Sequence, residues 1–369
     1  MRSCFLQQHL IKSICCAILS LSTAFSCLAD DKQRFKEVDL LLTSTFAADD
    51  EKDGIALLIF DRQDRLVYSR SLGNFSPERR VPVASASKMI AAAMMLIVID
   101  RGQISLDATT GQLLGWSGKK GQITLRQLLA QISGLNPNAV CMNEIAITLA
   151  RCVEEIRDDP GSLTHDPGSH FDYGGSHFQV AARMAEVATG KTWNTLFSDF
   201  LGKPLSLHAE TSFYTAPWLG IERVGTLNPR VGGGMTTSMA DYAKILAMIF
   251  HRGQFLGQSF ASAALFDAMA SEPNPAASVG FSPMARQAKL AFRYGLGAWL
   301  ECEATKGVCP VLSSAGAFGW VPWLDREAGY YAIIGMYRPP GGRGTTGVVA
   351  FSVGLEQRLK PLIVKALQP

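Results

Sequence analysis

Residues Ala91–Ile99 are apolar on every face of the helix they would form. A helix with no polar stripe has no side to turn towards water, so it must run through the middle of a core. Only a chain long enough to surround it can do this. With 369 residues, 47% of them hydrophobic, this one can build one large domain or two lobes. Pro82 and Ser85 offer helix-start chemistry, and Gly102, just past Asp100-Arg101, is a fitting stop.

The mouth of that helix reads Ser85-Ala86-Ser87-Lys88. Residues at i and i+3 share one helix face. A lysine held there, partly desolvated and near the positive end of the helix, has its ammonium form disfavoured. Its neutral amine can take a proton from a serine, which activates a nucleophile without histidine. Ser-x-x-Lys is weak by itself: ordinary residue frequencies supply about one or two in a chain of this length. A second copy, Ser117-Gly118-Lys119-Lys120, lies in the glycine-flanked stretch Trp116–Gly121 and reads as a surface turn. For Ser85 the competing reading is a plain helix N-cap.

The first 29 residues have the pattern of an export signal. Arg2 and Lys12 give a positive start, Ile14–Phe25 is apolar but too short to span a bilayer, and Cys27-Leu28-Ala29 offers a small-residue cleavage site. A periplasmic or secreted protein is expected. Ala24-Phe25-Ser26-Cys27 is a faint lipoprotein variant without the usual leucine. Cys4, Cys15, Cys16 and Cys27 fall in this leader, leaving Cys141, Cys152, Cys302 and Cys309. Three pairings are possible, and the spacings favour the local bridges Cys141–Cys152 and Cys302–Cys309. Neither pair has Cys-x-x-Cys spacing and no histidine follows at ligand spacing, so no metal site and no cofactor is expected. The net charge of +3 gives no ground for a nucleic-acid partner. Arg79-Arg80 and Lys119-Lys120 read as solvated faces.

Hydrophobic periodicity places a helix over Gln33–Phe46 and a hairpin of Gly54–Phe60 and Leu66–Ser71 around Asp61–Arg65. Further helices are expected at Ser85–Arg101, from a Thr124/Gln127 capping box to Gly134, at Phe178–Thr189 and at Ser238–Arg252. Strands follow at Tyr294–Leu300, Ala315–Leu324 and Tyr330–Tyr337, then a helix over Ser352–Leu367. The fold class is therefore α/β of the α+β kind. An antiparallel sheet from about 30–84 and 290–369, flanked by terminal helices, carries an inserted, mainly helical region at about 103–289. Residues 30–369 form a single domain in this reading, with the active site where sheet and helical region meet.

Two more stretches have site-like composition. Phe171-Asp172-Tyr173-Gly174-Gly175-Ser176-His177 sets a tyrosine in a glycine-rich loop, where its phenol could share a proton with an amine. A core-packing tyrosine is the plainer alternative. Ser313-Ser314-Ala315-Gly316-Ala317-Phe318-Gly319 has small residues that let a ligand approach the backbone, with an N–H free for an oxyanion. An ordinary tight strand or bulge is the alternative. His165, His170 and His177 cluster near Tyr173 and read as loop histidines.

In order and spacing these segments resemble the serine β-lactamase-like superfamily: class C β-lactamases, D,D-peptidases and related esterases. The resemblance runs from about Phe35 to Leu367. It is carried by Val83–Lys88, Leu96–Asp107, Ile123–Leu135, Asp172–Trp193 and Gly232-Gly233-Gly234-Met235 with Ser238–Asp241. It implies that Ser85 is acylated, that Lys88 accepts its proton, and that Tyr173 assists proton transfer. The oxyanion hole would be the backbone N–H groups of Ser85 and Ala317. Where β-lactamases have Tyr-x-Asn, this chain has Tyr173-Gly174-Gly175; where they have Lys-Thr-Gly, it has Ser314-Ala315-Gly316. The amide and the cation that recognise an acylamino carboxylate substrate are missing, while the acyl-transfer groups remain.

An ester-hydrolysing enzyme is therefore expected, acting on a small-molecule ester or amide. Gly175, Ser314, Ala315 and Gly316 would line its substrate site, with an apolar pocket walled by Phe318, Trp320 and Trp323, for which core or lid packing is the alternative. A β-lactamase or D,D-carboxypeptidase is the alternative, and a non-catalytic binder of cell-wall peptide the second. No transmembrane span is expected, and the oligomeric state stays open.

Overall fold

Segments from both ends of the span 51–356 build one sheet in the computed structural model, which describes residues 33–49, 53–222, 224–303, 307–338 and 344–368. The expected leader and its four cysteines lie outside the described residues. Strands β1 (Gly54–Asp61) and β2 (Leu66–Gly73) form the expected hairpin. The Asp61 carboxylate closes its turn by accepting from the Gln63 and Arg65 N–H groups. In chain order there follow β3 (Val81–Pro82), β4 (Ser212–Phe213), β5 (Met235–Thr237), β6 (Arg293–Tyr294), β7 (Trp299–Leu300), β8 (Val311–Ser313), β9 (Val321–Asp325) and β10 (Tyr330–Gly335). The main antiparallel sheet has seven strands in the order β6-β7-β8-β9-β10-β1-β2. Strand β1 pairs with β10 from Ala56↔Gly335 to Asp61↔Tyr330. Its unbroken apolar run is buried, as such runs should be, whereas β2 at the edge is largely exposed. A small sheet, β3-β5-β4, lies elsewhere in the same span.

The described helices include α1 (Lys36–Ala47), α2 (Ser87–Asp100), α3 (Leu149–Asp158), α4 (Ser176–Thr189), α5 (Met239–Phe250) and α6 (Gly344–Leu367). Every residue of α2 from Ser87 to Val98 is buried. Gly190 ends α4 in the left-handed conformation, and the Ser238 side chain caps α5 by accepting from the Asp241 N–H. Contacts divide the described residues into two units. One is the span 51–356. The other joins α1 to the part of α6 from 357 onwards, where Lys365 pairs with Glu37 at 2.6 Å.

Three expectations need correction. The strand expected over Tyr294–Leu300 is the β6–β7 hairpin, because Gly297 turns the chain at φ +80°. A side chain there would strike the Lys88 carbonyl oxygen and Ala92 on α2. Of the strand expected over Ala315–Leu324, the part before Val321 is a loop that follows β8, and the rest lies in β9. The loop is closed by Gly316 N–H to the Trp320 carbonyl at 2.7 Å and Gly319 N–H to the Gly316 carbonyl at 3.1 Å. The helix expected up to Gly134 ends at Leu129, although its Thr124/Gln127 capping box forms. Gln131, at φ +58°, breaks it first.

Cys141 is bonded to Cys152 and Cys302 to Cys309, the local pairings that the spacing favoured. The first ties the turn Val140–Asn143 to α3 across a separation of 11 residues. A loop of that size contributes roughly 3 kcal/mol in the chain-entropy model. Among the described residues, no helix is long and apolar enough to cross a membrane.

Candidate active site

Ser85 lies in a 3₁₀ turn, Ala84–Ala86, that leads into α2. It is not the helix N-cap: that position is Ala86, with no side-chain bond. The structural serine is Ser87, whose hydroxyl donates to the Ala84 carbonyl at 2.6 Å and accepts from the Met235 N–H at 3.0 Å. This fastens the turn to strand β5. Ala84, just before the nucleophile candidate, sits at φ +47°, where an alanine is strained. The Ser85 N–H lies in the first helical turn, where N–H groups lack an intrahelical acceptor.

Lys88 reaches back over this turn. Its Nζ lies 3.2 Å from Ser85 Oγ and donates to the Gly232 carbonyl at 2.7 Å. The side chain is buried. Loss of water, reinforced by the nearby Arg230 guanidinium, pushes its pKa down from 10.5 to about 7. The neutral amine, able to receive a proton, is therefore accessible near neutral pH.

Tyr173 follows the strand residues His170–Phe171, and its N–H donates to the Phe281 carbonyl at 3.0 Å. Its ring stacks on Trp299 at 5.0 Å and meets Tyr294 edge-on at 5.8 Å, so the phenol has little freedom. Burial raises the pKa of the phenol further above the ordinary value, and the influence of Ser85 offsets only part of this. The phenol stays protonated at neutral pH, so between these two groups only the Lys88 amine is able to take up a proton there.

His177, on α4, is buried behind this loop. Its Nε2–H donates to the Asp172 carbonyl at 2.8 Å, so Nδ1 accepts from the Ser133 hydroxyl, also at 2.8 Å. It is a latch on the tyrosine loop, outside the cleft. Burial pushes its pKa down to about 4. An unfolded histidine, near 6.5, binds a proton first, so this contribution is complete above about pH 6.5 and is lost as pH falls towards 4, by up to roughly 3 kcal/mol. Wild type should therefore lose more stability than His177→Asn between pH 7 and pH 5 in urea unfolding. Equal losses would remove the latch from this account. His165 and His170 stack at 3.8 Å beside Asp172, whose Oδ2 is 3.5 Å from His170 Nε2.

Ser85, Lys88, Tyr173, Gly175, Ala317 and Phe318 line one cleft of about 340 Å³. Among the described residues no backbone carbonyl takes the Ala317 N–H, which leaves it available beside Ser85. Ser314, Ala315 and Gly316, expected in the substrate site, do not line the cleft. Ser314 turns its hydroxyl to the Ser85 carbonyl at 3.2 Å, and Gly316 packs on the Val83 carbonyl. They support the nucleophile's turn from behind. Trp320 and Trp323, expected as pocket walls, are core residues. Trp320 packs against Phe75 and Tyr242, and Trp323 donates to the Tyr330 hydroxyl.

The sequence reading missed Asn138, Trp218, Arg230 and Phe281, which complete the lining. None carries a periodic or motif signal; only Arg230, two residues before the glycine run, could have been picked out by position. The second Ser-x-x-Lys is a surface turn as expected. Lys119 pairs there with Asp166, and Lys120 donates to the Arg157 and Asp159 carbonyls.

Among solved structures, a Bacteroides dorei DSM 17855 protein assigned as a beta-lactamase is 27% identical, with a TM-score of 0.77, covering 89% of this chain and 98% of that one. EstCE1, a hydrolase with promiscuous acyltransferase activity, shares the fold at 16% identity and TM-score 0.66, with 89% and 98% covered. Simvastatin synthase (LovD) from Aspergillus terreus, unliganded, shares it at 18% identity and TM-score 0.62, with 88% and 99% covered. The mixed α/β architecture with an antiparallel sheet is thus of the β-lactamase/transpeptidase type. No curated protein matches the chain significantly. The beta-lactamase family profile matches residues 42–351, most of the chain, and the protein belongs to that family.

Proposed function

We propose that the protein is a serine hydrolase that cleaves carboxylic esters through an acyl-enzyme on Ser85. The observation that carries this reading is the buried Lys88 amine 3.2 Å from Ser85 Oγ, held by the Gly232 carbonyl, with its pKa pushed down to about 7. In the first half-reaction Lys88 takes the Ser85 proton and Oγ attacks the ester carbonyl. The resulting oxyanion accepts from the Ser85 and Ala317 N–H groups. The carbonyl re-forms, the alcohol leaves with the proton relayed from Lys88 and Tyr173, and the acyl group stays on Ser85. Water then gives a proton to Lys88, attacks the acyl carbonyl and releases the carboxylic acid, while Ser85 regains its proton.

Two departures from the β-lactamase pattern support esters over β-lactams. Gly175 offers no side-chain amide, and the Ser314 hydroxyl is engaged with the Ser85 carbonyl. EstCE1, a hydrolase with promiscuous acyltransferase activity, shares the fold, which is compatible with this reading. A β-lactamase or D,D-carboxypeptidase is the second reading, because Arg230 brings a cation to the cleft. We also propose that the chain is exported; disulfide bonds among the cysteines beyond the leader fit an oxidising compartment.

A chain-length panel of nitrophenyl esters, run beside a chromogenic cephalosporin and with Ser85→Ala as control, tests the assignment. Ester turnover that disappears in Ser85→Ala and exceeds cephalosporin turnover is the expected result. Comparable or faster cephalosporin turnover would replace the ester reading by the second one. Failure of folded wild type to react with a fluorophosphonate would point to a binder instead.

A further inference from the structure

Arg230 brings a guanidinium to the cleft, and among the described residues that line it none is acidic. Arg230 lines it beside Ser85 and Lys88. Its Nη1 donates to Asn143 Oδ1, and the guanidinium lies over the Trp218 ring, 5.2 Å from the centroid. Trp218 meets Phe318 edge-on at 6.1 Å, so the cation is set into an aromatic wall. A side chain added at Gly233 would begin 3.6 Å from Arg230 Nε and 4.0 Å from the carbonyl carbon of Ala84. Gly233 is therefore flanked by the guanidinium on one side and by the turn that carries Ser85 on the other. The Arg230 carbonyl accepts from the Gly233 and Gly234 N–H groups, which fixes the arginine to the turn that positions Lys88.

Other half-buried arginines in the chain have partners that neutralise them or accept their protons. Arg293 meets Glu272 at 3.1 Å, Arg183 meets Glu186 at 3.0 Å, and Arg326 donates to the Ile249 and Phe250 carbonyls. Arg230 has one neutral amide. Burial lowers its pKa, and no neighbouring acid raises it again. A half-buried charge without a counterion costs free energy that a bound anion would recover. Guanidinium carries five N–H donors in a planar fork that matches a carboxylate. With a single donor engaged by Asn143 among the described residues, the fork can still offer two parallel N–H groups.

We propose that Arg230 is an anion subsite that binds a carboxylate carried by the substrate, so that the preferred esters bear a free carboxylate group. The proposal rests on ester hydrolysis at Ser85. The cation comes from the glycine turn after Pro229, and not from the strand-end position that Ser314 occupies.

Two matched ester pairs test it. In 4-nitrophenyl butyrate and mono-4-nitrophenyl glutarate the carboxylate is added to the acyl side. In phenyl acetate and 3-carboxyphenyl acetate it is added to the leaving group. Wild type should favour the charged member of at least one pair by about ten- to a hundredfold in kcat/KM, the scale of a hydrogen-bonded charge contact. Arg230→Gln should bring that ratio close to one, and Arg230→Lys should keep part of it. No preference in either pair, with neutral esters still turned over by wild type, would overturn this proposal alone. A preference that survives in Arg230→Gln would also overturn it. If wild type turns over no ester at all, the underlying reading fails and this one with it. The wild-type comparison does not depend on how the variants fold.

Discussion

Lys88→Met should lower kcat/KM for a nitrophenyl ester by about 10²–10⁴-fold, the range that a positioned general base supplies. In wild type the acidic limb of kcat/KM should be centred near pH 7, where Lys88 loses its proton. The sign follows from the chemistry. Below that pH the amine is an ammonium and cannot accept the Ser85 proton, so activity rises with pH through the limb. The rate left in the variant should lack this limb. Loss of fold is excluded as the cause if Lys88→Met melts no lower than wild type. Methionine fills a similar volume without the desolvation that a buried amine suffers. A pH profile with the same limb in the variant would assign the titration to another group and displace Lys88 as the base.

Gly316→Ala is the second large effect. The turn that carries Ala317 packs so closely on the Val83 carbonyl that a Cβ at 316 would collide with backbone. The Val83 carbonyl also accepts from the Ala86 N–H at 3.2 Å, inside the turn that carries Ser85. Neither side can give way without separating the two N–H groups assigned to the oxyanion. Removing one such donor costs about 10²–10³ in kcat. Gly316→Ala should show a loss of that order, concentrated in kcat, with far-ultraviolet circular dichroism unchanged. Retained kcat would mean that the Ala317 N–H does not serve the oxyanion.

Much of this arrangement was legible in the sequence because it obeys local rules. The all-apolar Ala91–Ile99 run gave a buried helix, alternation and turn residues gave the β1–β2 hairpin, and Ser238 gave a cap. The Ser85, Lys88 and Tyr173 stretches were legible by order and spacing, and the structure brings all three to one cleft. What was not legible depends on contacts between distant segments. Ser314 looked like a substrate contact until its hydroxyl was found on the Ser85 carbonyl. Trp320 looked like a pocket wall because its neighbours Ala317 and Phe318 are one. The loop closed by Gly316 and Gly319 turns it into the core instead. Arg230 is a single residue in a loop, and nothing periodic marks the position from which it reaches the cleft.

Three of the hydrogen bonds around the proposed nucleophile are long in sequence. Lys88 to Gly232 spans 144 residues, Met235 to Ser87 spans 148, and Ser314 to Ser85 spans 229. Contacts of that separation are assembled late, after the loops between them have closed. In a nascent or partly folded chain Ser85 is thus an ordinary hydroxyl beside an ordinary, solvated ammonium. On the proposed mechanism, the lowered amine pKa and the placed hydroxyl exist only once these distant segments have met.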